Sequence, residues 1–232
     1  MRSTLALKMN YPEVKEKNRL YFSEGNPWPQ GHVIEHCNLD ARIYANGQLR
    51  ILIHLQTVDY RMNDGGEFLS NDCETDWGSK DAWNNYHACN IDGELLSYLG
   101  GPPISLKDIG RINKVYDALP NSVANFKDDS WAFNCYILGH DTVANNEIKI
   151  GDMTSEGYPI SWRGKIALSY GGDYEFKHSF ALSTCIAPLN DIMICGDLTD
   201  DDVRKRLAET LEEHDQFLPT MKNDWRYFSR PT

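Results

Sequence analysis

The residues whose spacing comes closest to a known chemistry are His32, Glu35 and His36, in the run His32-Val33-Ile34-Glu35-His36. Two histidines around a glutamate in this order form the HxxEH zinc pattern, in which the histidines hold the ion and the glutamate activates its water. That chemistry needs a helix, where side chains at i and i+4 lie about 6 Å apart. On a strand the same two positions are ~13 Å apart and cannot share an ion. Pro27, Pro29 and Gly31 precede the run, and no helical apolar stripe surrounds it. It therefore reads as a strand with His32, Ile34 and His36 on one face, and no metal or other cofactor is expected.

A second group is Trp77, Asp81, Trp83, Asn84 and Tyr86, in an expected loop over residues 77–86. Indole and phenol rings with carboxylates and amides nearby are materials for stacking on a sugar and hydrogen-bonding it. The same residues also read as rings plugging the end of a sheet, because large aromatics usually pack. His36-Cys37 and His87-Ala88-Cys89 place imidazole next to thiol in sequence. A nucleophilic dyad needs spatial contact and a depressed thiol pKa, so these cysteines read as buried and structural. The chain lacks a P-loop, a GxGxxG, a GxSxG, the kinase set and the deaminase HxE…PCxxC. Asp64-Gly65-Gly66-Glu67 does not space its oxygens as an EF-hand does.

The elements that must position these residues look mostly β. Asn46-Gly47 predicts a two-residue type I′ hairpin turn, with Leu49, Ile51, Ile53 and Leu55 sharing one face of the following strand. A second hairpin runs through Gly171-Gly172-Asp173. Its alternation is satisfied throughout when Tyr170 opposes Tyr174, Leu168 opposes Phe176, Ile166 opposes His178 and Trp162 opposes Leu182. That register puts His178 on the apolar face, as a hydrogen-bonded core residue. Further strands are expected at 33–39, 131–138, 147–150 and 191–195. Two amphipathic helices are expected, near 105–119 (capped by Ser105, stopped by Pro120) and near 199–218 (capped by Thr199, stopped by Pro219). Regular strand–helix–strand alternation is missing, which argues against a parallel α/β sheet. The expected fold is α+β: predominantly antiparallel β, as a sandwich or a strongly bent sheet, with two helices. Residues 1–31, punctuated by Pro12, Pro27 and Pro29, read as an extended N-terminal arm, and residues 32–232 as one globular domain.

Charge narrows the partners. The 232 residues carry 23 Lys and Arg against 34 Asp and Glu, a net charge of −11. Phosphate-rich nucleic acid and anionic membranes would be repelled, so neither is an expected partner. Six cysteines without a CxxC pair, and no apolar run of signal-peptide or membrane-span length, read as reduced thiols in the cytoplasm or in a particle assembled there. The first expectation is a non-catalytic protein–protein interaction or assembly protein that binds a partner or self-associates. A phage-particle component or an acidic inhibitor of a basic partner are examples. The alternative is a hydrolase or carbohydrate-binding protein using the 77–86 loop or a zinc site at His32, Glu35 and His36.

Overall fold

The structure, a computed structural model, describes residues 10–63, 76–119 and 131–231. Residues 1–8, the run Asp64-Gly65-Gly66-Glu67, Cys73 and Pro120 fall outside these. Eight strands close into an antiparallel barrel: β1 (Arg19–Phe22), β2 (His32–Tyr44), β3 (Leu49–Thr57), β4 (Asn90–Tyr98), β6 (Phe133–Tyr136), β7 (His140–Ile150), β8 (Tyr158–Ala167) and β9 (His178–Ile186). Around the wall the order is β1-β9-β8-β7-β6-β4-β3-β2, and β2 returns to β1 through Arg19–Val33 and Leu20–His32 pairing. The short strand β5 (Asn113–Tyr116) pairs with the second half of β7. A flap extends from β2: β10 (Asp191–Cys195) runs parallel to it, followed by β12 (Trp225–Ser229) and then β11 (Leu218–Lys222).

Closure corrects the α+β expectation of a sandwich or bent sheet. Sequence periodicity reports which face of a strand is buried; it does not report whether the first and last strands meet. The segment read as an arm supplies the closing stave, since Leu20 and Phe22 point into the core and β1 is hydrogen-bonded on both sides. An eight-stranded barrel is just wide enough for side chains to fill, and here they do. Phe133, Trp162 and Phe180 meet edge to face across the interior, with centroids 5.1 and 5.7 Å apart. Two strand glycines make room for them. A Cβ on Gly93 would lie 2.0 Å from the Phe133 ring, and one on Gly164 would lie 2.6 Å from Phe180. Trp162 Nε1 donates to Asn146 Oδ1 at 3.1 Å, which satisfies one polar atom inside the barrel.

Both expected helices are shortened. Ser105 and Asp108 do form a capping box, but the segment is a 3-10 turn over Leu106–Arg111, and residues 113–116 leave it to pair with β7. Ile109 and Ile112 are buried while Val115 is exposed, so the apparent stripe does not lie on one face. The second helix, α2 (Asp200–Thr210), begins at Thr199 with a capping box to Asp202. It stops eight residues early. Ile104 donates to the Thr210 carbonyl (3.0 Å) and accepts from Glu212 N (2.9 Å), drawing the chain off the helix. Leu218 is then an exposed residue of β11. The other α-helix among the described residues, α1 (Lys80–Asn84), is one turn capped by Ser79.

The two hairpins fare differently. Tyr44 N donates to Gln48 O and Gly47 N donates to Tyr44 O, so the first loop is Ala45-Asn46-Gly47: a type I turn closed by Gly47 at φ +86°. The two-residue turn is thereby corrected, yet Leu49, Ile51, Ile53 and Leu55 all face inward as expected. In the second hairpin the ladder pairs Ile166 with His178 and Trp162 with Leu182, the register read from the alternation. Its tip differs, because the strands stop at Ala167 and His178 and residues 169–171 form a 3-10 turn.

Candidate functional site

The HxxEH run lies on β2, and the structure separates its histidines. Between Ile34 and His36 the pairing with β3 slips by one residue, a bulge that switches which positions face inward. His32 is fully buried, ringed by Phe22, Trp28, Tyr60 and Trp83 at centroid distances of 4.9–5.7 Å. Glu35 and His36 are exposed, with His36 Nε2 3.9 Å from Glu35 Oε1. The expectation that His32, Ile34 and His36 share a face is thus corrected. Among the described residues no group of three His, Cys, Asp or Glu side chains is placed to hold a metal.

The aromatic group around 77–86 closes one end of the barrel. Trp83 is fully buried and its Nε1 donates to the Trp77 carbonyl at 2.9 Å. Trp77 and Tyr86 are buried too, as is the Asn84 side chain, while Asp81 is exposed. The ring faces that would stack on a sugar meet protein rings instead: Trp83 contacts Phe22, Trp28, His32, Tyr60 and Trp77. His178 lies parallel to Trp77 at 4.0 Å. Burial, assisted by Lys177, depresses its pKa to about 4, so the ring is neutral at physiological pH.

The thiols are ordinary. Cys37, Cys89, Cys135, Cys185 and Cys195 are all free. Burial pushes Cys37 up to about 12 and raises Cys89 and Cys135 well above the usual thiol value, which keeps these three protonated and inert.

Convergent polar groups occur instead on the outer wall. Strand alternation that sends Leu49, Ile51 and Ile53 inward sends Arg50, Leu52 and His54 outward. Antiparallel register places Arg42 opposite Arg50 and Asp40 opposite Leu52 on β2, and His54 opposite Asp92 on β4. A second slip, between Ile51 and Leu52, brings Glu94 opposite Leu52. Strand β4 pairs with β6 over Asn90–Gly93, with Asn134 opposite Asp92, and Glu94 N donates to the Ala132 carbonyl at 2.9 Å; Trp131 and Asn134 form the far side of a depression of about 710 Å³. His54 Nδ1 is hydrogen-bonded to Asp92 Oδ1, which raises the imidazole pKa and biases the ring toward its charged form. Arg50 Nε lies 3.4 Å from Glu94 Oε2, with its guanidinium 5.1 Å over the Tyr44 ring. Arg42 is exposed, and like charges directly opposite on a sheet repel. The groove therefore offers donors and acceptors side by side: Arg42, Arg50 and His54 against Asp40, Asp92 and Glu94. No Ser, Thr, Cys or Lys lines it among the described residues.

Sequence reading missed this constellation because it comes from three strands, with each charged residue an unremarkable member of its own alternation. The signal present in the sequence was the run Arg50-Ile51-Leu52-Ile53-His54, whose polar positions mark the outer face. No protein-family model, no curated protein and no solved structure matches the chain. What the fold and the groove define is a class by architecture: a closed antiparallel barrel with a filled interior and its polar recognition groups on the outside.

Proposed function

We propose that this protein is a non-catalytic binding module that docks an extended partner segment of mixed charge in the groove across β2, β3 and β4. The observation supporting this reading is the interleaving of two arginines and a histidine with three carboxylate side chains on the outer wall of a barrel whose interior is packed with Phe133, Trp162 and Phe180. Complementary charge patterns set partner choice and register more than raw affinity. An ordered mixed-charge groove fits a peptide better than a uniform polyanion or a neutral sugar. Trp131 and Leu52 supply apolar contact between the charges. Five described free thiols suit a reducing compartment such as the cytosol. No helix among the described residues is long and apolar enough to cross a membrane.

The test is a random-peptide display selection on the full chain, with Arg42→Glu as the matched control. Arg42 is an exposed strand residue, so the substitution leaves the core intact. Enriched peptides should carry both acidic and basic residues and bind Arg42→Glu about tenfold more weakly. Peptides that bind both proteins equally, or no enrichment at all, would contradict the proposal.

A further inference from the structure

Strand β5 has one hydrogen-bonded neighbour, β7. Ile150 N donates to the Ile112 carbonyl at 2.8 Å, which makes Ile112, and in the same register Lys114 and Tyr116, the positions bonded to β7. In an antiparallel ladder the residues between them turn their N–H and C=O the other way. Asn113 and Val115 therefore present two backbone donors and two acceptors along the outer edge, and none of these meets a backbone partner among the described residues. Strand β4 does not pair there. What joins it to β5 is a side chain, the Tyr116 hydroxyl donating to the Leu95 carbonyl at 2.8 Å.

An unpaired edge invites a further strand, and proteins blunt such edges. Strand β11 shows one way. Asn223 and Asp224, both at positive φ, form a two-residue turn that makes Lys222 and Trp225 a hydrogen-bonded pair. Counting back by twos, Thr220 and Leu218 also bond to β12, so Pro219 falls on the free edge, where its missing N–H interrupts an added ladder. Strand β5 has no proline; it has Lys114. A second copy using both outward positions would set Asn113 opposite Val115 and Lys114 opposite itself, in the close pairing where like charges repel. The edge is thus set against its own copy and toward a carboxylate at that place. Lys114 lies over the Tyr116 ring at 4.4 Å, and the exposed Lys149 stands opposite Asn113 on the outer face. Neither lysine is ion-paired with a carboxylate among the described residues. A depression of about 300 Å³ runs beside the strand, and its one carboxylate, Glu147, is engaged by Arg163 at 2.8 Å and by the Tyr11 hydroxyl.

We propose that β5 is a docking edge for an extended acidic segment of another protein, which adds as an antiparallel strand with a carboxylate opposite Lys114. Main-chain bonds to Asn113 and Val115 hold the segment, and the side chains set the choice of partner. Val115 is 46% exposed on the outer face, so the residue facing it is apolar. Asn113 takes a polar residue, and Lys149 beside it draws further carboxylates to that face. Read from its N-terminus, the core of the docked segment is apolar, acidic, polar. This edge uses none of the residues of the β2–β4 groove.

The experiment titrates the full chain with an acetylated heptapeptide carrying a Val-Glu-Thr core and, in parallel, with its Val-Lys-Thr counterpart, following amide hydrogen exchange by NMR. The first peptide should protect the Asn113 and Val115 amides and bind about fivefold more tightly than the second. Lys114→Glu, a substitution at an exposed position, should invert that order while circular dichroism stays that of the parent. N-methylation of the peptide's Val, whose N–H faces Val115, should abolish binding. N-methylation of its Glu, whose N–H points away from β5, should leave binding in place. Unchanged exchange at Asn113 and Val115, or an order of binding indifferent to Lys114→Glu, would overturn the proposal. So would protection of Val115 in the protein alone that rises with its concentration, because the strand would then be pairing with itself.

Discussion

His178 should give the barrel an acid-sensitive limb of stability. In the folded protein its ring lies on Trp77, and burial, with Lys177 nearby, holds its pKa at about 4 against an ordinary 6.5. Between those two values the unfolded chain binds more protons than the folded one. The stability this ring contributes is therefore complete above pH 6.5 and is lost as pH falls from there toward 4. At ~1.36 kcal/mol per pH unit the full gap sets a ceiling of about 3 kcal/mol. The ring is only half-buried, and solvent screening brings the expected loss at about pH 4.5 to roughly 1.5 kcal/mol. His178→Phe keeps an aromatic ring on Trp77 and removes the titration. Urea unfolding followed by tryptophan fluorescence at about pH 7 and about pH 4.5 should show the parent losing about 1.5 kcal/mol more than the variant. Asp117 and Asp141, whose pKa values are raised by burial, titrate in both proteins and cancel in the comparison. Parallel pH dependence in parent and variant, or an imidazole NMR titration midpoint near the ordinary 6.5, would show that His178 does not carry this acid limb.

Gly164→Ala should destabilise the fold by about 1–3 kcal/mol in denaturant unfolding, because the new Cβ lands 2.6 Å from the Phe180 ring in a packed interior. Asn146→Ala should cost about 1–3 kcal/mol by the same assay, since it leaves the buried Trp162 indole N–H without its acceptor. Removing residues 1–30 should abolish cooperative unfolding altogether, because it deletes the stave that joins β9 to β2. A truncated chain that still melts cooperatively would contradict closure. Titration with a thiol reagent under native conditions should find Cys185 and Cys195 reactive and Cys37, Cys89 and Cys135 silent until urea is added.

Local pattern carried much of this fold and little of its closure. The alternation Leu49, Ile51, Ile53, Leu55 and the register of Trp162 against Leu182 were legible because each depends on a period of two within one hairpin. Closure was not, because Leu20 opposite His32 is a contact between segments whose sequences do not refer to each other. The helix expected near 105–119 failed for a related reason: spacing of Ile109, Ile112 and Val115 fits a helical face, but the free edge of β7 offers residues 113–116 a ladder. The His32–His36 face was lost to a single bulge, which no periodicity announces. For the groove, Arg42, Arg50, His54 and Asp92 lie on three separate strands, and only the register of those strands makes them neighbours. Burial of Trp77 and Trp83 followed the packing reading of those rings, since their size favours the core over the solvent.

The proposed docking places recognition on the outer wall, while the barrel interior is filled by its own side chains. Hydroxyl-radical footprinting with a peptide from the display selection tests it residue by residue. Leu52, His54 and Trp131 should lose reactivity on binding, while the exposed Trp225 and Met221 of the β11–β12 hairpin keep theirs. Protection centred on Trp225 and Met221 with the groove unchanged, or new reactivity at Trp162 and Phe180 as the barrel opens to admit the ligand, would contradict the account.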